Sequence, residues 1–311
     1  MTTSSTPSDL AAPDCPSLVE AAGRAAGGQQ YPKATLYVVA TPIGNLADLT
    51  LRAIHVLGLA DTLACEDSRV SAGLLRHLGL HKPLLAVHEH NEADAAGAVI
   101  ARLAHGERVA YVSDAGTPAV SDPGARLVAA VVAAGYRVLP IPGASSAVTA
   151  LSVAGDVQGT GFRFAGFAPP KGAERSATLA RWCDEPQTLV LFEAPHRIAT
   201  LLRELAQRCP ARRVTLCREL TKQFETVVTL EAAQLPAWLE ADPHRSRGEF
   251  VLVLHGLSTE PTQALAPGIE PLLQALMATL PLKQAVTLVA DATGAPRNAL
   301  YARALALKSD D

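Results

Sequence analysis

From residue 33 onward, short apolar runs alternate with stretches of helical spacing. T-L-Y-V-V-A (35–40), T-L-A-C (62–65), P-L-L-A-V (83–87), V-A-Y-V (109–112) and R-V-L-P-I (137–141) read as strands. Between them, Leu74, Leu75 and Leu78, or Leu127, Val128, Val131 and Val132, recur at the spacing of one helix face. Strands separated by helices of this length predict βαβ units around a mostly parallel sheet. Gly58, Gly79 and Gly135 stand where helices are expected to stop.

The second half reads differently. F-R-F-A-G-F (162–167), T-L-V-L-F-E (188–193), R-V-T-L-C-R-E-L (213–220), T-V-V-T-L (226–230) and G-E-F-V-L-V-L-H-G (248–256) are strands, some with too little chain between them for a helix. A mixed sheet follows. The pattern divides the α/β chain into a flexible N-terminal tail (1–32), an N-terminal α/β domain (33–155) and a second α/β domain with a mixed sheet (156–257). A linker (258–268) then leads to a C-terminal helical module (269–308), broken at T-G-A-P (293–296).

Composition narrows the field. Of 311 residues, 49% are apolar, enough for a sizeable core, while aromatics at 4% offer no broad stacking surface for bases. A net charge of −3 gives no global attraction for a polyanion, so any nucleic-acid contact needs a local patch. The five cysteines form no C-x-x-C, which suits reduced thiols in a cytoplasm. No apolar run approaches membrane-spanning length, and the N-terminus lacks the basic and apolar regions of a secretory signal.

Candidate chemistry sits at the strand ends. T-P-I-G-N-L-A-D (41–48), S-D-A-G-T-P-A-V-S-D-P-G (113–124), P-G-A-S-S (142–146) and E-A-P-H-R (193–197) each place Pro and Gly after a strand and before a helix. That edge of an open α/β sheet is where ligands bind. Ser145 or Ser146 and Asp122 are candidate N-caps, with Pro123 at a first helical position. Neither G-x-G-x-x-G after a strand nor G-x-x-x-x-G-K-[ST] occurs, which argues against a phosphate-rich cofactor. A ligand with a ribose and an amino-acid portion but no phosphate remains compatible.

Read in order, T-P-I-G-N-L-A-D-L-T, E-D-S-R (66–69), S-D-A-G-T-P-A-V-S-D-P-G, F-E-A-P-H-R, R-E-L-T-K (218–222), F-E-T (224–226) and G-E-F-V-L (248–252) resemble the ribosomal RNA small subunit methyltransferase I family of the tetrapyrrole-methylase-like superfamily. The resemblance runs from about Thr35 to Ala306. Position 68 is Ser where the family often has Thr, and 143–146 read G-A-S-S where many members have G-P-x-x. The resemblance implies two α/β domains of the tetrapyrrole-methylase type with S-adenosyl-L-methionine bound in a cleft between them. It also implies a homodimer that methylates the ribose 2′-hydroxyl of a cytidine in the decoding region of 16S rRNA. Carried over by residue, it assigns Ser113, Asp114, Ala115 and Gly116 to the cofactor wall, with Thr41, Pro42, Ser145, Ser146, Phe192 and Glu193 in the same cleft.

A ribose hydroxyl is a poor nucleophile at neutral pH, so a nearby base or cation would help. Glu66, Asp67 and Arg69 form one candidate catalytic group; Arg218, Glu219 and Lys222 form another, with a turn at Thr221 expected to bring Lys222 back to Arg218. The plainer reading of either group is a structural ion-pair cluster or an acidic helix start. His88 and His90 share a strand face, but two ligands do not complete a metal site, and no metal is expected. Arg203, Arg208, Arg212, Arg213, Arg218 and Lys222 form a basic zone suited to RNA. Between residues 281 and 308, Lys283, Arg297, Arg303 and Lys308 stand against Asp291, a local net of +3 on a segment that resembles a helix-turn-helix. Two other functions fit the same fold: a methylase of cobalamin or sirohaem precursors, and a non-catalytic ribosome-assembly factor.

Overall fold

The computed structural model describes residues 17–88, 91–257 and 268–309. Five strands, β1 (Thr35–Val39), β2 (Thr62–Cys65), β3 (Leu84–Ala86), β4 (Arg108–Val112) and β5 (Arg137–Ile141), form a parallel sheet in the order β3-β2-β4-β1-β5. Helices α1 (Leu18–Ala26), α2 (Leu51–Leu59) and α3 (Ser68–His77) cover one face, and α4 (Glu92–Ala104) and α5 (Ala125–Ala133) the other. With both faces buried, the strands carry near-continuous apolar runs, as parallel sheets do.

After β5 the chain enters α6 (Ser146–Ala154), which packs on a second sheet. That sheet comprises β6 (Phe162–Phe167), β7 (Thr188–Glu193), β8 (Arg213–Arg218), β9 (Thr226–Glu231) and β10 (Phe250–Leu254), ordered β6-β7-β10-β8-β9. Only β6 and β7 run parallel, so the sheet is mixed. Helices α7 (Gly172–Cys183), α8 (Ile198–Arg208) and α9 (Leu235–Glu240) bury Leu179, Leu201 and Leu235 against one face. On the other face α6 sets Ala147, Ala150 and Ala154 against Val190, Cys217, Val251 and Val253. Small side chains at i, i+3 and i+7 let that helix lie close to the strands.

Both sheets belong to one compact unit ending at Gly256, and the residues from Leu257 form a second. In the second, α10 (Ile269–Met277), α11 (Leu282–Thr293) and α12 (Arg297–Ser309) enclose a small core of Leu273, Val286, Val289 and Leu300. Residues 258–267 of the expected linker lie outside the described residues. Among the described residues, no helix is long and apolar enough to cross a membrane.

Several expectations need correction. Residues 18–26, placed in a flexible tail, are helical: the Ser17 hydroxyl accepts from the Glu20 amide, and the Glu20 carboxylate takes the Ser17 amide at 2.8 Å. This reciprocal capping box starts the helix, and the fully buried Ala22 docks it on α2. Residues 1–16 lie outside the described residues. Gly58 is within α2, whose end is at Ala60, whereas Gly79 and Gly135 do follow helix ends with positive φ. Asp122 and Pro123 do not start α5, whose N-cap is Gly124. There Glu92, only 7% exposed, reaches from α4 and accepts the amides of Gly124, Arg126 and Leu127 at 2.9–3.0 Å. A carboxylate at a helix N-terminus satisfies orphan donors and the helix dipole together.

The expected basic zone is also broken up. Arg212 is buried, and its guanidinium donates to the carbonyls of Trp182, Cys183, Glu185, Gln187 and His255. Arg218 donates to the carbonyls of Arg247 and Phe224. These cations tie loops together. Glu92→Ala removes three charge-assisted bonds and is expected to cost about 3 kcal/mol of stability, at roughly 1.5 kcal/mol or more per bond less the relaxation of the site. Chemical denaturation checks this; a loss under about 1 kcal/mol would show that water replaces the carboxylate freely.

Candidate active site

Parallel strands end at one edge, so the loops after β1, β2, β4 and β5 converge there. Thr41 and Gly116 exchange two backbone hydrogen bonds, N to O at 2.8 Å and 3.1 Å. This joins T-P-I-G to S-D-A-G. Gly116 has φ +78°, a conformation that costs glycine nothing and a residue with Cβ a good deal. The Thr117 hydroxyl then donates to the Ala144 carbonyl of the loop after β5 at 3.0 Å. Asp114 accepts the Asp67 amide at 3.0 Å, drawing in the loop after β2.

The acids of E-D-S-R divide by role. Asp67 caps α3 through the Arg69 amide and pairs with the Arg69 guanidinium at 2.6 Å, which together hold its carboxyl down at about 2. This is the structural reading, and Arg69 itself projects into solvent. Glu66 is half-buried; burial first, then the charges of Asp114 and Asp122, push its carboxyl up, while the Asp114 amide holds it partly back. Burial likewise raises Asp122, against a hydrogen bond from Ser113 and with a contribution from Asp114.

The second sheet supplies the opposite wall. Along β7, alternation sends Phe192 to the α6 side and Glu193 to the other. Glu193 is among the residues lining the cavity, and its buried carboxylate faces Arg197 at 3.1 Å and Arg175 at 3.7 Å. After β8, Glu219 (φ +53°) and Thr221 (φ +67°) take left-handed backbone. Within this tight turn Lys222 pairs with carboxylates, while the Arg218 guanidinium is spent on the carbonyls of Arg247 and Phe224. The Lys222 ammonium lies 3.0 Å from Glu219 and 2.8 Å from Glu249, and its stem rests on Gly44. Burial disfavours the Lys222 charge, but both carboxylates outweigh it and raise its pKa. Glu219 also accepts the Glu249 amide at 2.9 Å, in space that a side chain at Gly248 would fill.

Two adjoining cavities of about 360 Å³ each occupy the cleft. Ala115, Gly116, Ser145, Ser146, Phe192 and Glu193 line the first, together with Asp122 and the apolar Phe167, Leu220 and Val251. Thr41, Pro42, Ser113, Asp114, Ala115 and Lys222 line the second, with Leu46 and Val70 at its rim. Ile43, Ala115 and Glu249 belong to both. All the expected cofactor residues thus come to this cleft. Of the catalytic candidates Lys222 lines it, whereas Glu66, Asp67, Arg69, Arg218 and Glu219 line neither cavity. Glu249 was missed as an individual residue although G-E-F-V-L was noted, because nothing local reports its pairing with Lys222. Among the described residues no cluster suits a metal ion; Glu89 and His90 lie outside them.

The fold and its loops define a class. Residues 35–236 match the family model described as Tetrapyrrole (Corrin/Porphyrin) Methylases, and residues 263–308 match the RsmI C-terminal HTH domain. Among solved structures, a cobalt precorrin-4 methyltransferase of cobalamin biosynthesis aligns at TM-score 0.54 and 17% identity, covering 72% of this chain and 98% of its own. The methyltransferase CobJ aligns at TM-score 0.54 and 20% identity, covering 71% and 93%. At these identities the likeness establishes the fold.

Sequence relatives are more specific. The ribosomal RNA small subunit methyltransferase I of Neisseria meningitidis serogroup B is 48% identical over 88% of this chain and 94% of its own. The protein of that name from Pseudomonas aeruginosa is 44% identical over 87% and 96%. The chain belongs to the ribosomal RNA small subunit methyltransferase I family, and it is a methyltransferase.

The Glu219 clamp has a pH signature. Burial works against the Glu219 charge, but the Glu249 amide and the Lys222 ammonium prevail and leave its pKa lowered. A depressed carboxylate contributes stability that is complete above its unfolded pKa and is lost as pH falls through the folded value. Glu219→Gln is therefore expected to be less stable than the wild type at pH 7. The gap should close below the ordinary carboxylate range. Thermal melts across pH 2.5–8 (roughly the span that brackets a carboxylate) check this; a pH-independent gap would mean that the charge is not involved.

Proposed function

We propose that this protein transfers the methyl group of S-adenosyl-L-methionine to the ribose 2′-hydroxyl of a cytidine in the decoding region of 16S rRNA, as a cytoplasmic homodimer. The observation that carries this reading is the pair of adjoining cavities built from the loops the chain shares with its family. The donor set suits the cofactor. Asp122 and the aromatic Phe167, Phe192 and Phe250 line the first cavity, which has no basic residue for a phosphate. Its volume falls within the range of small-molecule sites. Bound there, S-adenosyl-L-methionine would supply a methyl group already activated on a sulfonium.

Much of the remaining work is alignment. Holding a hydroxyl in line with the methyl carbon removes the entropy of a bimolecular encounter. The linked loops after β1, β4 and β5 provide stiff walls for that purpose. Asp114 and Ser113, beside the junction, are assigned to the polar end of the cofactor. The C-terminal helices, of which α11 and α12 carry a local net charge of +3, are assigned to RNA phosphates. Exposed Phe224 and Val227, beside and within edge strand β9, support a dimer contact there.

The direct test incubates the protein with labelled cofactor and small ribosomal subunits and maps the product by mass spectrometry. One 2′-O-methylcytidine in the decoding region is expected. Transfer to a tetrapyrrole, or to a base rather than a ribose, would overturn the reading. Asp114→Ala is expected to weaken cofactor binding by about ten-fold or more, equivalent to about 1.4 kcal/mol, on isothermal titration. An unchanged dissociation constant would remove this loop from the cofactor wall. Truncation after Gly256 should leave cofactor binding intact while methyl transfer to RNA collapses, and full-rate transfer by the truncated chain would remove the helices from RNA recognition.

A further inference from the structure

The two cavities meet at a shared wall, and that wall has one ionisable side chain. Ile43, Ala115 and Glu249 belong to both cavities. If one cavity takes the cofactor and the other the nucleotide, the reacting atoms must meet where the cavities meet. Ile43 and Ala115 can shape that point; only Glu249 can handle a proton there. The geometry points to the second cavity as the subsite for the target nucleotide, and to Glu249 as the group that accepts the proton of its 2′-hydroxyl. This rests on the methyl transfer proposed above and assigns it a proton acceptor.

The surroundings of Glu249 suit that task. Its carboxylate is 77% exposed, so it is open to an incoming hydroxyl. One oxygen, Oε2, takes the Lys222 ammonium at 2.8 Å, and Oε1 has no hydrogen-bond partner among the described residues. Lys222 is itself steadied by Glu219 at 3.0 Å, and the Glu249 backbone is held by the Glu219 carboxylate and by the Glu219 amide. The carboxylate therefore stands at a defined place on a strand start. Lys222 and Glu219 face it from the turn after β8, and Asp114 shares the second cavity from the loop after β4.

The step balances without a further reactant. The hydroxyl oxygen forms a bond to the methyl carbon, and the carbon–sulfur bond breaks with its electron pair remaining on sulfur. The attacking oxygen grows more acidic as its new bond forms, so a carboxylate can take its proton late in the step. Glu249 then passes that proton to the water at its exposed face. Lys222 orients the Glu249 carboxylate through the 2.8 Å bond to Oε2; it is a positioning residue.

The second cavity fits a nucleotide in kind as well as in place. Leu46 and Val70, 47% and 46% exposed, offer apolar surface at the rim, while Lys222 and Thr41 offer polar partners within and Ser113 and Asp114, beside the shared Ala115, stay with the cofactor's polar end. An unpaired base stacked at such a rim would leave its ribose facing inward. That stacking requires the target to be presented as an unpaired nucleotide, whose base can be splayed out onto protein side chains.

The experiment compares wild type, Glu249→Gln, Glu249→Asp and Val70→Trp on small ribosomal subunits with saturating cofactor. A general base contributes about 10²–10⁴-fold, so Glu249→Gln should lose at least about 100-fold in kcat. It should also lose the acidic limb of the pH–rate profile, while cofactor affinity and Tm stay close to wild type. Glu249→Asp should recover part of the rate and restore the limb. Val70→Trp, which fills the second cavity from its rim, should raise KM for the RNA and leave cofactor affinity unchanged. Glu249→Gln within about three-fold of wild type, or one that loses cofactor affinity instead, overturns the assignment of the proton acceptor. Val70→Trp that weakens the cofactor and not the RNA overturns the nucleotide subsite. A wild-type protein without ribose methylation overturns the function itself, and this inference with it.

Discussion

The cleft depends on two hydrogen bonds between Thr41 and Gly116. Strands that end at a ligand site leave backbone amides and carbonyls beyond the sheet, and buried ones must find partners. Here two loops from neighbouring parallel strands satisfy each other, forming a short antiparallel bridge beyond a parallel sheet. The geometry is possible because Gly116 accepts φ +78°. Once it forms, Ile43 and Ala115 are committed to the common wall, Thr117 reaches Ala144, and Asp114 reaches the Asp67 amide. Four loops distant in sequence become one rigid rim. Rigidity is what a displacement reaction needs from a protein whose cofactor already carries the activation.

The opposite wall is set by a different constraint, the thickness of a helix on a sheet. Helix α6 leaves the first sheet and lies on the second through Ala147, Ala150 and Ala154. These small side chains bring its axis close to β7 and β10, and so bring Phe192 and Val251 within a cavity's width of Gly116. Bulkier residues along that stripe would wedge the walls apart. The spacing of the cleft is thus written into a stripe of alanines that touch no part of the cavity.

Much of this was legible in the sequence. The ten strands were readable as apolar runs, and the loops as Gly- and Pro-rich breaks, because both signals are local. The ionisable residues were harder. Glu92 stood in a segment that drew attention for its histidines, yet its partners are amides 32–35 residues away. Glu193 followed a motif into the cleft, but strand alternation buried it against Arg175 and Arg197. Arg212 looked like an RNA contact and is a buried clasp for five carbonyls. In each case the missing information was a long-range partner, which neither period nor propensity reports. The capping box at Ser17 and Glu20 was the reverse: a local signal, S-x-x-E, hidden in a low-complexity stretch.

That use of charge bears on how such a protein can meet a polyanion at a net charge of −3. Arg175, Arg197, Arg212 and Arg218 are committed to carboxylates and carbonyls inside the first unit. Among the described residues lining the two cavities, Lys222 is the only cation, and Glu219 and Glu249 more than balance it. The cleft therefore exerts little net attraction on phosphate. On the reading proposed above, a nucleotide would be held there by shape, hydrogen bonding and apolar contact, terms that salt screens weakly. Affinity for RNA as a polyanion has to be generated elsewhere on the chain, leaving the cleft free to discriminate which nucleotide enters. If the proposed site is right, separating attraction from selection in this way would let acidic groups, suited to proton transfer and to a cationic cofactor, sit at the reacting centre without repelling the substrate as a whole.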